Sequence, residues 1–233
     1  MSKPTAVITG ASRGIGRAIA LRLAAEYHIV AAARSQAGLD TMAAGIAAAG
    51  GTCTPVAVDV ADPDAVARAL TGLDADVLVN NAGVGIIKPL LETTPEEWHR
   101  QVDVNFNALY HVTRSLLPGM LARGRGHVLI IGSIAGRSAF AGGAAYTGTK
   151  HAVMAFAECL LLEVRDRGVK VSVVSPGGVA TEFGGGDPAA KGWALRPEDV
   201  AASVAHVLAT PPNVLVHRVE VRALSKANPA TGD

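Results

Sequence analysis

The stretch that most limits how this chain can fold begins at its fifth residue. A short apolar run, Thr5-Ala6-Val7-Ile8, passes directly into Thr9-Gly10-Ala11-Ser12-Arg13-Gly14-Ile15-Gly16, and a helical apolar pattern follows through Ile19, Leu23 and Tyr27. Strand, glycine-rich turn and helix in that order make a phosphate cradle. The glycines let the backbone turn tightly and come close to a pyrophosphate, while the helix N-terminus offers free N–H groups and the positive end of its dipole. A glycine motif without those flanks is an ordinary tight turn. With both flanks present, the expected chain is an α/β protein holding a dinucleotide at the carboxyl end of its first strand.

Strands and helices continue to alternate. Residues 29–33 read as a second strand and deliver Arg34. About 20 residues past the glycines, a protein favouring NAD carries an acidic residue for the ribose 2′-hydroxyl. Arg34 suits a 2′-phosphate instead, and Arg13, inside the turn, can reach the same group, so NADP(H) is the expected cofactor. The alternative is that Arg34 is a solvated loop charge. An alanine-rich helix over 37–49 ends at Gly50-Gly51, and a strand over 54–58 delivers Asp59-Val60. Asp59 is placed to accept from an adenine amino group, whereas Asp62, before Pro63, reads as a helix cap. The strand over 76–79 ends in Asn80-Asn81-Ala82-Gly83, small and amide residues that suit a chain passing a nucleotide and that alone would be an ordinary turn.

The chemistry is expected after the next buried strand, residues 128–131. Ser133 lies just past it, and Tyr146 and Lys150 follow four apart, on one face of a helix. An ammonium near a phenol stabilises the phenolate, which lowers the tyrosine pKa toward the range useful for proton transfer. Ser133 can then hydrogen-bond a substrate oxygen beside the phenol. A Tyr and a Lys at helical spacing are otherwise a packed ring and a solvated charge; Ser133 and the small residues Gly142, Gly143, Ala144, Ala145 and Gly148 favour the site. Gly148, costly inside a helix, implies a close approach to the backbone.

Before this stretch, Thr94-Pro95-Glu96-Glu97 opens a long helix with Thr94 as cap. Asn105 interrupts its apolar surface, and spacing alone does not separate a structural amide from a catalytic one. The helix beyond Lys150, with Val153, Phe156, Leu160, Leu161, Leu162 and Val164, is apolar over more than one face. It and the Trp98 helix are therefore expected to form a subunit interface. After the strand over 170–174, the segment Ser175-Pro176-Gly177-Gly178-Val179 and the glycine-rich run from Thr181 read as a lid over about 181–196, with Phe183 and Trp193 lining an apolar pocket. Arg196-Pro197 starts the last helix, residues 214–223 read as an outer strand, and 225–233 as a polar tail.

At 233 residues, with 49% hydrophobic and 18% charged, the chain is expected to be one domain, 1–233. A net charge of +1 without clustering argues against nucleic acid and anionic membranes, leaving small molecules as partners. Cys53 and Cys159 lie in apolar contexts without CxxC spacing and read as buried free thiols, with no metal site. No basic-then-apolar leader and no membrane-spanning run is read, so a cytoplasmic location is expected.

Taken together, TGxxxGxG at Thr9–Gly16, the NNAG at 80–83, Asn105, Ser133, Tyr146-xxx-Lys150 and the Pro176-Gly177 segment ending at Thr181 resemble the short-chain dehydrogenase/reductase family along nearly the whole chain. The resemblance implies a single-domain, Rossmann-like, doubly wound parallel sheet of seven strands with helices on both faces. It implies that Tyr146 is the general acid in carbonyl reduction and the base in alcohol oxidation. Lys150 lowers its pKa and binds the nicotinamide ribose, Ser133 orients the substrate oxygen, and Asn105 holds a water in the proton relay. Gly10, Ser12, Arg13, Gly14, Ile15, Gly16, Asp59, Val60, Asn81, Ala82, Gly83, Val179 and Thr181 are implied cofactor contacts, and Arg34 the residue selecting NADP(H). Such proteins are usually homodimers or homotetramers. Relatives that reduce 3-oxoacyl carriers usually carry a glycine pair after the last strand, where this chain runs Val219-Glu220-Val221-Arg222-Ala223-Leu224-Ser225. A ketone or aldehyde reductase, equally an alcohol dehydrogenase, is therefore expected first. A 3-oxoacyl-carrier reductase, a non-catalytic NADP(H)-binding sensor and a sugar-nucleotide epimerase are the alternatives.

Overall fold

Seven runs rich in valine, isoleucine, threonine and alanine become strands in a computed structural model of the chain, which describes residues 3–185, 187, 189 and 192–225. They are β1 (Thr5–Thr9), β2 (His28–Ala33), β3 (Thr52–Ala57), β4 (Val77–Asn80), β5 (Gly126–Ile131), β6 (Val169–Pro176) and β7 (Arg218–Val221). All pair in parallel in the order β3-β2-β1-β4-β5-β6-β7. The chain winds outward from β1 to β3, then crosses to β4 on the other side of β1. Between β1 and β4 the winding reverses, and the loops that diverge there leave a crevice at the carboxyl ends of the strands.

The helices are α1 (Gly14–Leu23), α2 (Gln36–Ala48), α3 (Pro63–Leu70), α4 (Pro95–Val102), α5 (Ala108–Arg123), α6 (Ala144–Val164) and α7 (Pro197–Leu208). The pleat sends alternate strand residues to opposite faces, and helices cover both. Val7, Leu78, Val128, Ile130, Val171 and Val173 pack with residues of α3, α5 and α6. Ala6, Ile8, Ile29, Val79, Leu129 and Ile131 pack with α1, α2 and α7. Each Ile or Leu fully withdrawn from water contributes roughly 1.5–3 kcal/mol, and this two-sided burial is what holds the crevice walls in register. Pro55 lacks an N–H and is tolerated because β3 is an edge strand.

Thr94 caps α4 in a reciprocal box with Glu97, and Pro95 occupies the first helical position, as the sequence implied. The single long helix expected from there is instead interrupted. Asp103–Asn107 form a π-helical turn between α4 and α5. Such a turn shifts the side-chain register, and π-bulges occur often at functional sites; here the turn carries Asn105.

The outer strand expected over 214–223 shrinks to β7. Ahead of it, a turn closes where the Val214 N–H donates to Pro211 O at 2.9 Å, and Lys170 Nζ holds the Pro211 and Val214 carbonyls, so sheet pairing starts only at the His217 carbonyl. The thiol of Cys53 is half-buried and that of Cys159 is exposed, against the expectation of two buried ones. Apolar sequence neighbours of Cys159 say nothing about its helix face, and it lies on the face of α6 away from the core. Residues 226–233 of the expected polar tail, and 186, 188, 190 and 191 of the expected lid, lie outside the described residues. Among the described residues no helix is long and apolar enough to cross a membrane.

Candidate active site

The glycine turn follows β1 and is locked against β4. Thr9 is the hub: its buried Oγ1 accepts from the N–H groups of Asn81 and Ala82, both at 3.0 Å. Asn81 returns the link, donating through Nδ2 to the Thr9 carbonyl at 2.9 Å and to that of Gly10 at 3.3 Å. At Gly16 a Cβ would stand 2.4 Å from the Gly10 carbonyl oxygen and 2.5 Å from Asn81 Nδ2, so α1 can pack this close only through a glycine. Gly10 has φ of 66°, the left-handed region that glycine enters freely. Gly83, at the end of the second loop, faces the Asn105 side chain.

This turn fits a pyrophosphate. The cap residue of α1, Arg13, contributes no side-chain hydrogen bond to the helix, and no acidic residue lies in its first turn. Its N–H groups and positive dipole end are therefore left for an anion. Ile15 packs into the core beneath, and Ser12 lies against Gly38 of α2. Arg34 emerges exposed at the end of β2 with no ion pair among the described residues. Arg13 is engaged differently from the expectation: it reaches across the crevice to Glu182, with Nη1 2.5 Å from Oε2. Asp59 follows β3, its Oδ1 taken by the Ala61 N–H at 3.0 Å and its Oδ2 at 3.5 Å from Arg100. Val60 is buried beside it. Val179 bridges to Leu195, and the Thr181 side chain closes on Gly14.

The reactive groups stand two strands away, at the end of β5. Ser133 caps a short turn, Ile134–Gly136, accepting from the Ala135 N–H at 3.1 Å. Tyr146 and Lys150 lie on α6, and the Ser133 side chain acts on the Tyr146 hydroxyl in the direction that favours the phenolate. The structure corrects the expectation that this phenol is shifted downward. Burial raises the Tyr146 pKa above its ordinary value, and Ser133 only partly opposes that. Lys150 is buried, its Nζ donating to the Ile131 carbonyl at 3.1 Å and lying 5.9 Å from the centre of the Tyr146 ring. Burial lowers its pKa to about 8.

Asn105 is fully paired. Its Oδ1 accepts from the Val84 N–H at 2.8 Å, and its Nδ2 donates to the Val84 carbonyl at 2.9 Å and to Thr149 Oγ1 at 3.2 Å. Thr149 in turn donates to the Tyr146 carbonyl at 2.8 Å, so the π-helical turn, the 81–85 loop and α6 are tied through one amide. A cavity of about 20 Å³ lies between Asn105, Lys150, Asn80 and Thr9, room for about one water. Phe183 covers the site, with its ring centre 5.7 Å from that of Tyr146. Trp193 packs on Gly178 at the far end of the same segment. Gly148 is exposed, with no described residue of the chain within 4 Å of a Cβ there, so the close approach expected at it does not come from within the chain.

Thr9, Thr149 and Glu182 were not singled out from the sequence. Thr9 and Thr149 each adjoin a motif residue, and that adjacency is their only sequence signal. The Glu182 pairing joins residues 169 positions apart and leaves no local trace.

A crevice at the switch point of a doubly wound parallel sheet, with an anion-binding turn on one wall and a half-buried Tyr and Ser beside a buried Lys on the other, defines a dinucleotide-dependent enzyme. Comparison with known proteins narrows this class: residues 4–191 match the short chain dehydrogenase family, and the chain belongs to it. It is 33% identical over 239 residues to the NADP-dependent 3-hydroxy acid dehydrogenase YdfG of Salmonella typhi, covering 95% of each chain. It is also 36% identical over 236 residues to glycine betaine reductase ATRR of Emericella nidulans, where the match covers 94% of this chain and spans only 18% of that longer protein. An alcohol dehydrogenase from Thermococcus sibiricus, solved with 5-hydroxy-NADP, superposes with a TM-score of 0.87 at 33% identity, covering 96% of this chain and 97% of that one.

Proposed function

We propose that the protein is an NADPH-dependent carbonyl reductase, equally an alcohol dehydrogenase in reverse, acting on a ketone or aldehyde. The observation that carries this reading is the half-buried Tyr146, with buried Lys150 Nζ 5.9 Å from its ring centre and the Ser133 side chain acting on its hydroxyl. The nicotinamide supplies a hydride to the carbonyl carbon. Ser133 and the Tyr146 hydroxyl hold the carbonyl oxygen, and the phenol proton passes to that oxygen as negative charge develops on it. Lys150, held by the Ile131 carbonyl, stabilises the phenolate left behind and binds the nicotinamide ribose. Asn105 pins the loop and borders the cavity from which a water returns the proton through Lys150. The glycine turn, Arg34 and the loops at Asp59, Asn81 and Thr181 hold the rest of the cofactor. The domain boundary at 1–233, the lid over 181–196 and a cytoplasmic location belong to the same proposal. It is tested by NADPH and NADH oxidation against a panel of aliphatic and aryl ketones, diketones and 3-oxoacyl thioesters. NADPH binding without turnover of any carbonyl favours the sensor.

Cofactor choice gives a two-sided test. Glu182 occupies Arg13 with a carboxylate, the charge a 2′-phosphate would present. Glu182→Gln therefore tightens NADPH binding several-fold and leaves NADH unchanged. Arg34→Asp weakens NADPH roughly tenfold or more, the worth of one charge-assisted hydrogen bond, and spares NADH. Fluorescence titration of both cofactors reads the effects; equal shifts for the two would remove Arg34 and Arg13 from 2′-phosphate recognition.

We also propose that the chain is a homodimer or homotetramer. Of the apolar residues on α6, Leu162 is 61% exposed, and Trp98 on α4 and Tyr110 on α5 also face outward. The outward face of α6 otherwise mixes the small residues Gly148, Ala155 and Cys159 with His151, Glu158 and Glu163, a more polar surface than the apolar one expected. Light scattering at micromolar concentration is expected to give at least twice the chain mass, and Leu162→Glu to halve it.

A further inference from the structure

Phe183 is wedged between two walls of the crevice. One face of its ring meets Tyr146, with planes tilted by 58°. Its edge meets the backbone of the 83–85 loop so closely that a Cβ at Gly85 would stand 2.4, 2.8 and 3.2 Å from three atoms of that one ring. Gly85 is not among the residues with positive φ, so the backbone itself does not call for glycine there. The space a methyl group would take is the space Phe183 fills.

Three large apolar side chains border the same entrance from three loops, each substantially exposed: Ile87 at 48%, Phe140 at 46% and Phe183 at 40%. Ile87 stands over Gly142 and Phe140 over Gly143, just ahead of the helix that carries Tyr146. The described cations on these loops are already neutralised: Lys88 by Glu97 at 2.5 Å, Arg137 by Glu220 at 3.7 Å and Arg196 by Asp199 at 3.2 Å. Arg13, on the opposite wall, is held by Glu182.

Building on the carbonyl-reductase function proposed above, we propose that Phe183 is the specificity wall of this site, seated by the absence of a side chain at Gly85, and that it selects uncharged carbonyls bearing an aryl or other apolar group over carboxylate-bearing oxo acids. A substrate whose oxygen lies on Tyr146 and Ser133 must place its larger substituent along the Phe183 ring. There an aromatic or aliphatic face gains contact, and a carboxylate loses water without gaining an unpaired cation from the described residues of these loops.

The test compares wild type, Phe183→Ala, Gly85→Ala and the double variant, with acetophenone and acetoacetate as substrates, and records thermal midpoints and NADPH binding for all four proteins. Wild type is expected to prefer acetophenone. Phe183→Ala lowers kcat/KM for acetophenone about 10- to 100-fold, leaves acetoacetate within about threefold and leaves NADPH binding unchanged. Gly85→Ala lowers the thermal midpoint and acetophenone turnover in wild type and does little when Phe183 is already absent, because the ring it displaces is gone. Equal losses on both substrates, or a Gly85→Ala effect that is the same in both backgrounds, overturns the wall while leaving the reductase intact. A protein that turns over no carbonyl overturns the reductase and the wall's selective role together, whereas the thermal midpoints still report whether Phe183 seats on Gly85.

Discussion

Tyr146→Phe is expected to lower carbonyl reduction by a factor of about a hundred to ten thousand while NADPH binding persists, the range that loss of a positioned general acid produces. Phenylalanine keeps the ring that packs against Phe183 and removes only the hydroxyl, so the loss falls on kcat and not on the fold. The pH dependence follows from the same burial. With its pKa raised, Tyr146 is protonated at neutral pH, the form that reduction needs, and Lys150 keeps its charge up to about pH 8. Reduction should therefore be level below about pH 8 and fall above it, whereas alcohol oxidation, which needs the phenolate, should rise with pH. Single-turnover rates with preformed NADPH complexes separate the chemical step from binding. A Phe variant that retains more than about a tenth of wild-type kcat would remove Tyr146 from the proton transfer.

What could be read in the chain, and what could not, divides along sequence distance. The glycine turn declared itself because strand, glycines and helix are contiguous and the physics of phosphate binding needs them contiguous. Tyr146 and Lys150 were legible because helical spacing puts them on one face. Asn105 was visible as a polar break in an apolar helix, but its partners, Val84 and Thr149, lie 21 and 44 residues away, and the π-helical turn beneath it has no composition signal. Arg13 was read from its place in the glycine turn as able to reach the 2′-phosphate; the fold brings Glu182 to it from 169 positions away. Cys159 was misread for a related reason, since neighbours in sequence do not specify which helix face is packed. The sign of the Tyr146 shift likewise depends on how deeply α6 is buried, and that is a property of the assembled sheet.

Acid is expected to destabilise the fold through His127, far from the chemistry. His127 lies in β5 and is only 7% exposed, with Nε2 2.8 Å from Ser172 Oγ. Ser172 Oγ donates to the Val216 carbonyl at 2.6 Å, so its lone pair receives the His127 Nε2–H and the ring is held neutral in that tautomer. Burial, with the neighbouring Lys170 cation adding to it, lowers the His127 pKa from 6.5 to about 4. Between those values the unfolded chain binds a proton that the folded chain refuses, so stability is full above about pH 6.5 and drains as pH falls toward 4. Complete passage through that window removes about 3 kcal/mol, of which about 2 kcal/mol is gone by about pH 5. Urea midpoints at about pH 7.5 and pH 5 measure it, with His127→Gln as the reference. Glutamine can still donate to Ser172 but cannot titrate. The variant should thus be somewhat less stable at neutral pH and lose distinctly less than wild type on acidification. Parallel losses in the two proteins would remove His127 as the source of the acid sensitivity.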